Sequence, residues 1–300
     1  MNHSNKIPRF FLEMLFYVLH STMLYCYAED TITVKWTGIA GVLISDEATD
    51  IGIDITITRP ELKHWLFNAP FLPNEIVLKK AIAKYQIKKI DALFISHTHC
   101  DHAVDIPWLS AEFSAPIYGS VSIHRLAKGY SNLTKKNVLL KNMVVNEPIL
   151  IGKFKITPIH RVHGPILQAL DWHFLIGDVP ENTKLNFYDY YTGDTWSYLI
   201  EHPHGNIYLD QGARPNETIL NSLPKIDVAI LGTANKKSVE DWISGYGKKM
   251  HPKIVMPVHY DWFFLSWPDE PFVMPRMDLE ELETELKKIN IDFQKEVIRF

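Results

Sequence analysis

Four residues able to bind a metal ion fall within six consecutive positions of the sequence. The segment reads HTHCDH over 97–102, and its candidate ligands are His97, His99, Asp101 and His102. Imidazole and carboxylate groups are ligands that suit Zn²⁺. Residues two apart in an extended turn point the same way, so His97 and His99 are expected to share one cation. Asp101 and His102 lie further along the turn, where a helix can start, and are expected to serve a second cation.

The ligand-rich segment follows directly on an apolar run, IDALFIS over 90–96. A short apolar run of this kind is typical of a buried strand. Side chains beyond the end of a buried strand lie on a rim where a site can form. The metal ligands are therefore expected at the edge of a sheet.

Short apolar runs alternate with helical patterns from Asp30 onward. The predicted strands are 31–36, 42–45, 51–58, 92–96, 116–118, 154–159, 186–191, 206–210, 228–231 and 253–257. The predicted helices are 74–86, 120–129, 239–248 and 278–290. No linker and no repeat of fixed period interrupts the pattern. The pattern predicts one mixed α/β domain, whose two β-rich halves pack face to face.

The first 28 residues have the features of a secretory signal peptide. Lys6 and Arg9 precede a nearly apolar run over 10–27, which closes on small residues. Cleavage is expected after Ala28, which predicts a periplasmic or secreted protein. The alternatives are an N-terminal membrane anchor and a helix packed on the domain.

The domain that remains after cleavage covers 29–300, and no stable membrane span is expected in it. The apolar run over 10–27 argues against the membrane anchor, because its unbroken length is shorter than the roughly 20 residues that a span needs. The chain has 31 Lys and Arg against 35 Asp and Glu, a net charge of −4. No strong attraction to nucleic acid is expected from that balance. Cys26 and Cys100 are the two cysteines, so cleavage would leave one and no intramolecular disulfide.

The segment HTHCDH after an apolar strand resembles the HxHxDH signature of the metallo-β-lactamase fold superfamily. Further motifs of that family occur in the expected order, and they place Asp54 in DIGID, His163 in RVHGP, Asp194 in YTGDT and His259 in MPVHYD. The resemblance extends from about residue 30 to residue 261. It implies a four-layer αβ/βα sandwich, in which two mixed β-sheets are flanked by helices.

The resemblance also implies a dinuclear metal site. One ion would be held by His97, His99 and His163, the other by Asp101, His102 and His259, and Asp194 would bridge them. Asp101 and Asp194 are the expected catalytic residues, with Asp101 taking a proton from the attacking water. Asp54 is expected to orient a ligand through hydrogen bonds, with a simple turn aspartate as the alternative. His160 lies three residues before His163 and is the alternative ligand at that position.

The residues also favour one branch of the superfamily. A carboxylate at Asp194 replaces the cysteine of two-zinc β-lactamases, and His99 replaces the glutamate of di-iron relatives. The remaining similarity is to the lactonase and phospholipase-D-like hydrolases, through YGS over 118–120 and the two motifs around Asp194 and His259. The implied function is hydrolysis of an ester, lactone or phosphodiester bond of a small-molecule or lipid-like substrate by a metal-bound hydroxide. Zn²⁺ is the expected metal, with Mn²⁺ or Fe²⁺ as alternatives.

Two other functions stay open from the sequence. One is a non-catalytic metal- or ligand-binding protein of the cell envelope that keeps the fold. The other is an iron-dependent relative acting on glutathione thioesters or sulfur compounds.

Two features near His259 have both a functional and a packing interpretation. Tyr260 or Tyr191 could donate a hydrogen bond to a developing oxyanion, or each could be a packing residue. The aromatic segment over 262–277 could form an apolar lip over a pocket, or it could cover the core.

Overall fold

The computed structural model describes residues 31–164 and 175–300, apart from 213, 235, 266, 268–270 and 276. Ile32 to Phe300 form one compact unit. The predicted signal peptide over 1–28 lies outside the described residues, so its cleavage stays a prediction. No described helix combines the length and the apolar character that crossing a membrane requires.

The first sheet contains seven strands within the described residues, in the order β14-β1-β2-β3-β4-β5-β6. Its strands are β1 (Thr33–Gly38), β2 (Gly41–Ser45), β3 (Asp50–Ile53), β4 (Ala92–Phe94), β5 (Ile117–Gly119), β6 (Leu140–Asn142) and β14 (Val297–Arg299). The pairs from β14 to β3 are antiparallel, and those from β3 to β6 are parallel.

The second sheet also has seven described strands, in the order β13-β12-β11-β10-β9-β8-β7. They are β7 (Ile149–Ile151), β8 (Phe154–Arg161), β9 (Thr195–His202), β10 (Gly205–Asp210), β11 (Val228–Gly232), β12 (Ile254–Val258) and β13 (Asp292–Phe293). The pairs from β7 to β10 are antiparallel, and those from β10 to β13 are parallel. Both sheets are therefore mixed.

The described helices are α1 (Leu62–Phe67), α2 (Glu75–Tyr85), α3 (Cys100–Ala103), α4 (Ile106–Phe113), α5 (Val121–Thr134), α6 (Glu217–Ser222), α7 (Val239–Trp242), α8 (Lys248–Met250) and α9 (Leu279–Lys288). A π-helical turn, Ile243–Gly247, joins α7 to α8. Several helices begin where a short polar side chain accepts a backbone N–H, as Asn74 does at α2 and Asp278 at α9. Such caps satisfy N–H groups that have no partner inside the helix.

Three apolar cores define four layers. The central core joins the facing sides of the two sheets, with Val34 and Phe94 from the first packed with Ile200 and Ile230 from the second. A second core lies between the first sheet and helices α2, α4 and α5. A third lies between the second sheet and helices that include α9. The predicted αβ/βα sandwich is confirmed.

Two predicted strands need correction. Residues 186–191 form no strand; instead, a 3₁₀ turn spans Phe187–Asp189. The Asp189 carboxylate accepts the backbone N–H groups of Lys184 and Asn186, which closes the chain into a turn. The strand predicted over 51–58 ends at Ile53, because Asp54 adopts a left-handed backbone conformation with φ of 51°.

Candidate metal centre

Six of the predicted ligands form two groups of three side chains. The donor atoms of His97, His99 and His163 lie within 4.8 Å of one another, and so do those of Asp101, His102 and His259. The structure thus brings together a cluster of three histidines and a cluster of two histidines and one aspartate, both of the kind that bind metal ions. The role of each side chain as a ligand stays a prediction.

The two groups are adjacent, because the ring centroids of His97 and His102 are only 3.9 Å apart. The ring centroid of His163 lies 4.8 Å from those of His97 and His99, and the ring centroid of His259 lies 5.2 Å from that of His102.

The secondary structure explains how residues so far apart in sequence meet. His97 and His99 follow the buried strand β4, and Asp101 and His102 lie in the short helix α3. The other two histidines follow strands of the second sheet, β8 and β12. Each group therefore combines residues beside the first sheet with one residue from the second.

Asp54 holds this arrangement from behind. Its side chain is fully buried and accepts hydrogen bonds from Ser96 N at 2.7 Å and Ser96 Oγ at 2.5 Å. Its Oδ2 also lies 3.0 Å from Nδ1 of His102. These contacts hold the ring of His102 and the start of the HTHCDH segment, and the role of Asp54 in orienting a metal ligand stays a prediction. Ser96 was not anticipated; its only signal in the sequence is a hydroxyl residue immediately before the motif.

Asp194 lies beside the groups but in neither of them. Its side chain is exposed, at the start of β9. The flanking backbone runs along the histidine segment, because Thr98 N donates to Thr192 O at 2.8 Å and Trp196 N donates to Ser96 O at 2.7 Å. Residue 194 therefore lies opposite His97, on the segment of backbone that runs beside the histidine segment. Its proposed bridging role is not shown by this placement.

The two histidines near the end of β8 are separated by their surroundings. His160 is exposed, and its ring lies 5.9 Å from that of Trp196, whereas His163 belongs to the first group. Cys100 is half-buried between two candidate ligands, and burial raises the pKa of its thiol well above the ordinary value.

The lowered pKa values of two histidines in the first group and of Asp101 in the second favour metal binding. Burial, followed by the neighbouring imidazoles, lowers the pKa of His97 and lowers that of His163 to about 3. Both rings are therefore neutral near pH 7, the form that binds a metal. Burial opposes ionisation of Asp101, but His102 and His259 outweigh it and lower the pKa of that carboxyl.

The donor set fits a divalent ion. Nδ1 of His163 and Nδ1 of His259 are buried and have no hydrogen-bond partner among the described residues. Buried polar atoms without partners are rare in folded proteins and call for an explanation such as an ion. Five imidazoles and one carboxylate are a set that suits Zn²⁺.

The segment after His259 is held by an ion pair that the sequence did not reveal. Nη2 of Arg59 lies 2.7 Å from Oδ2 of Asp261, and both side chains are buried. Tyr260, between these contacts and His259, stacks on Trp36 with ring centroids 4.6 Å apart and is buried in the central core. Its position is that of a packing residue.

The segment predicted as a lip begins beside the second group. The ring of Phe263 lies 5.7 Å from that of His259 and 4.2 Å from that of Phe264, which in turn contacts Trp65. Phe264, together with Leu62 and Leu66 of α1, is exposed. An exposed apolar surface thus extends outward from the candidate metal centre.

Comparison with known proteins adds family and fold. Residues 59–167 match the family model of the metallo-beta-lactamase superfamily. Among solved structures, the chain is similar to Igni18, a metallo hydrolase from the archaeon Ignicoccus hospitalis, with 17% identity and a TM-score of 0.57 over 90% of this chain and 98% of that one. None of the curated proteins compared matches the chain.

Two further structures share the fold at similar distance. The metallo-beta-lactamase fold protein YhfI from Bacillus subtilis is 15% identical, with a TM-score of 0.55 over 90% of this chain and all of YhfI. An isothiocyanate hydrolase from Delia radicum gut bacteria is 15% identical, with a TM-score of 0.53 over 90% of this chain and 99% of that one. At such identities the likeness establishes the fold alone.

The sequence match, the sandwich fold and the paired ligand groups at the sheet edge agree with one another. The chain thus has the metallo-β-lactamase fold, its residues 59–167 match the family model of that superfamily, and its two donor groups are of the kind found in metal-dependent hydrolases.

Proposed function

We propose that this protein is a dinuclear zinc hydrolase that cleaves an ester, lactone or phosphodiester bond, and that it belongs to the lactonase and phospholipase-D-like branch. The observation that carries the proposal is the pair of adjacent three-residue donor groups. The similar structures described as a metallo hydrolase and an isothiocyanate hydrolase support hydrolysis. The chemistry that two divalent ions supply at such a site is polarisation of a carbonyl or phosphoryl oxygen and acidification of a water molecule.

In this proposal the residues around the ligands set protonation and orientation. Asp54 accepts from Nδ1 of His102, which leaves Nε2 of that ring directed toward Asp101, whose Oδ2 is 3.8 Å away. His259 Nε2 lies 3.1 Å from the same carboxylate oxygen. Asp101, kept ionised by these two imidazoles, is the group that accepts a proton from the attacking water and returns it to the leaving group.

Asp194 completes the proposed ligand set. Its backbone position opposite His97 supports this role, since a carboxylate starting from there is next to the first group. A carboxylate would reduce the repulsion between two cations held by the two groups, and Asp194 is the side chain that would supply it.

The exposed apolar surface beside His259 supports a substrate with an apolar arm. Phe263 and Phe264 form a row that leads from the ring of His259 to Trp65 and the exposed face of α1. Apolar lining with a few polar groups at one end is the usual character of a ligand site. An acyl chain is the kind of group that this row would contact.

The test combines metal analysis with a substrate panel. Purified protein is expected to hold about two zinc ions per chain and to hydrolyse at least one of bis(4-nitrophenyl) phosphate, a simple lactone and 4-nitrophenyl esters. His97→Ala and Asp194→Ala should each lower kcat/KM by more than about 100-fold and lower the bound zinc. His160→Ala is the matched control, because His160 is an exposed histidine on β8, three residues before His163, and this variant should retain both. Turnover that survives both ligand substitutions would overturn the dinuclear mechanism, and metal binding without any turnover would favour the non-catalytic alternative.

The leader is part of the proposal as well. Cleavage after Ala28 would yield a mature chain that begins at Glu29 and is exported. N-terminal sequencing of the protein recovered from the periplasm or medium tests this. A chain that keeps its first residues and sediments with membranes would support the anchor instead.

A further inference from the structure

The loop after β10 places the side chain of Arg214 against the segment that carries His163. A Cβ built on Gly164 would lie 3.2 Å from Nε and 3.3 Å from Cδ of Arg214. Because Gly164 follows His163 directly and has no side chain, the guanidinium group packs on backbone beside one of the proposed ligands. The residue that Arg214 packs against is thus the neighbour in sequence of His163, a member of the first donor group.

Arg214 has an unused hydrogen-bond donor at this place. Its side chain is partly buried, and its Nε is fully buried with no hydrogen-bond partner among the described residues. A buried donor without an acceptor is costly to keep. A guanidinium group presents donors in a planar fork that matches carboxylate and phosphate oxygens. The missing acceptor is therefore of the kind that an oxyanion supplies.

The backbone that carries Arg214 is held in place by a buried ion pair. Nη2 of Arg161 lies 3.0 Å from Oδ2 of Asp210 and donates to the carbonyl oxygen of Arg214 at 2.6 Å. Asp210 also accepts from Tyr246 Oη and Gly212 N, each at 2.9 Å. Since Arg161 ends β8 two positions before His163, one buried ion pair positions both the proposed ligand and the loop.

The same loop also reaches the second donor group. Nε2 of Gln211 donates to Ala40 O at 2.9 Å, and the neighbouring carbonyl of Ile39 accepts from His259 N at 2.6 Å. The described residues of the loop therefore extend from the His259 side to the His163 side of the centre. A substrate that reaches both groups would lie beside it.

We propose that Arg214 forms an oxyanion subsite beside the metal centre, which binds a phosphodiester or carboxylate group of the substrate. This inference rests on the proposed function, because it assumes that the centre acts on a substrate. Arg161 and Asp210 are positioning residues for this subsite, since they hold the loop that carries Arg214.

Equilibrium binding tests the subsite independently of turnover. Inorganic phosphate and acetate are titrated separately into zinc-loaded wild-type protein, Arg214→Gln and Arg214→Lys, with Arg299→Gln, an exposed arginine on β14, as the control. The glutamine variant should bind phosphate or acetate about 10- to 100-fold more weakly, the lysine variant should lose less, and the control should match wild type. Zinc content and Tm should be the same in all four proteins.

The two anions distinguish the two substrate groups. Weakened phosphate binding supports a phosphodiester, and weakened acetate binding supports a carboxylate. Equal affinity of wild type and Arg214→Gln for both anions would overturn the subsite. A protein that hydrolyses nothing but loses anion binding on Arg214→Gln would instead overturn the proposed function and leave the subsite in place.

A matched pair of substrates with the same leaving group provides the kinetic readout. For bis(4-nitrophenyl) phosphate, an anion, Arg214→Gln should raise KM about 10-fold or more. For 4-nitrophenyl acetate, which is neutral, KM should stay unchanged. An equal loss on both substrates would mean that the substitution disturbs the centre itself, and would count against the subsite.

Discussion

Asp54 and His102 form a buried hydrogen-bonded pair, with Oδ2 of the aspartate 3.0 Å from Nδ1 of the histidine. The pair links the end of β3 to helix α3 and leaves the second ring nitrogen of His102 for the metal centre. In metal sites such an outer carboxylate fixes the tautomer of the ligand and raises its basicity.

Asp54→Asn should weaken zinc binding at the second group about 10- to 100-fold. Asparagine tolerates the left-handed backbone at this position, so the change removes the charge with little effect on the fold. Competition with a chromophoric chelator measures the affinity. The control is Asp227→Asn, because Asp227, just before β11, also accepts a backbone N–H, that of Asn206, and its other partner is Lys253. Unchanged zinc affinity in Asp54→Asn would contradict the role assigned to this pair.

Gly193→Ala should lower kcat/KM about 100-fold by moving Asp194. Gly193 has φ of 58°, and an added Cβ would lie 2.6 Å from Cβ of Ser122 and 3.0 Å from Oγ1 of Thr98. The matched control is Gly152→Ala, which has φ of 57° and a clash with Thr49 in the β7–β8 turn. Both variants should lose stability, but only the first should lose activity and bound metal. Equal activity of the two variants would show that the position of Asp194 is not critical.

Phe263→Ala should raise KM for long-chain esters and leave short-chain esters nearly unaffected. The ring lies 5.7 Å from His259 and starts the aromatic row, so its loss removes contact area only for a substrate that extends along it. We expect KM for 4-nitrophenyl octanoate to rise about 10-fold, equivalent to about 1.4 kcal/mol. Phe293→Ala, a half-buried phenylalanine on β13, serves as the control. A chain-length preference identical to that of wild type would argue that the row does not bind substrate.

The pair formed by His202 and Asp46 should make stability depend on pH below neutrality. Nε2 of the histidine lies 3.3 Å from Oδ2 of the aspartate, and burial lowers the pKa of His202 more than Asp46 raises it. The folded pKa is below the unfolded value, so the unfolded state binds the extra proton more readily. This contribution to stability is complete above pH of about 6.5 and is lost as pH falls toward the folded pKa.

Urea unfolding at pH about 7.5 and about 5 tests this sign. Wild type should lose more free energy of unfolding between the two conditions than His202→Gln does, because glutamine takes up no proton. His251→Gln, an exposed histidine, controls for the general effect of losing an imidazole. A His202→Gln protein with the same pH dependence as wild type would refute the prediction.

Much of the fold and of the centre follows from local sequence. The ligand-rich turn after an apolar strand was found from spacing alone, since residues 97 to 102 are contiguous. His163, Asp194 and His259 were assigned by resemblance, and only the fold shows that two of these three reach the histidine segment.

Other features were outside the reach of local pattern. Residues 186–191 contain four aromatic residues, a type that favours strands, but the Asp189 carboxylate competes with strand pairing by binding nearby backbone N–H groups. β9 was missed although it occupies an interior position in the second sheet, since its mixture of Thr, Ser and Glu with aromatic residues weakens the hydrophobic pattern. Arg161 ends β8, whereas Asp210 ends β10 and Arg214 lies in the loop after it, so their association depends on how β9 places β8 relative to β10.

The contact between Asp101 and His259 joins positions 158 residues apart in the chain. Closure of so long a loop is entropically demanding, so neither donor group is complete until the late strands have docked on the early ones. A newly made chain would therefore bind metal only when folding is nearly complete. Metal bound by both sheets would then stabilise the folded state and slow the separation of the two sheets.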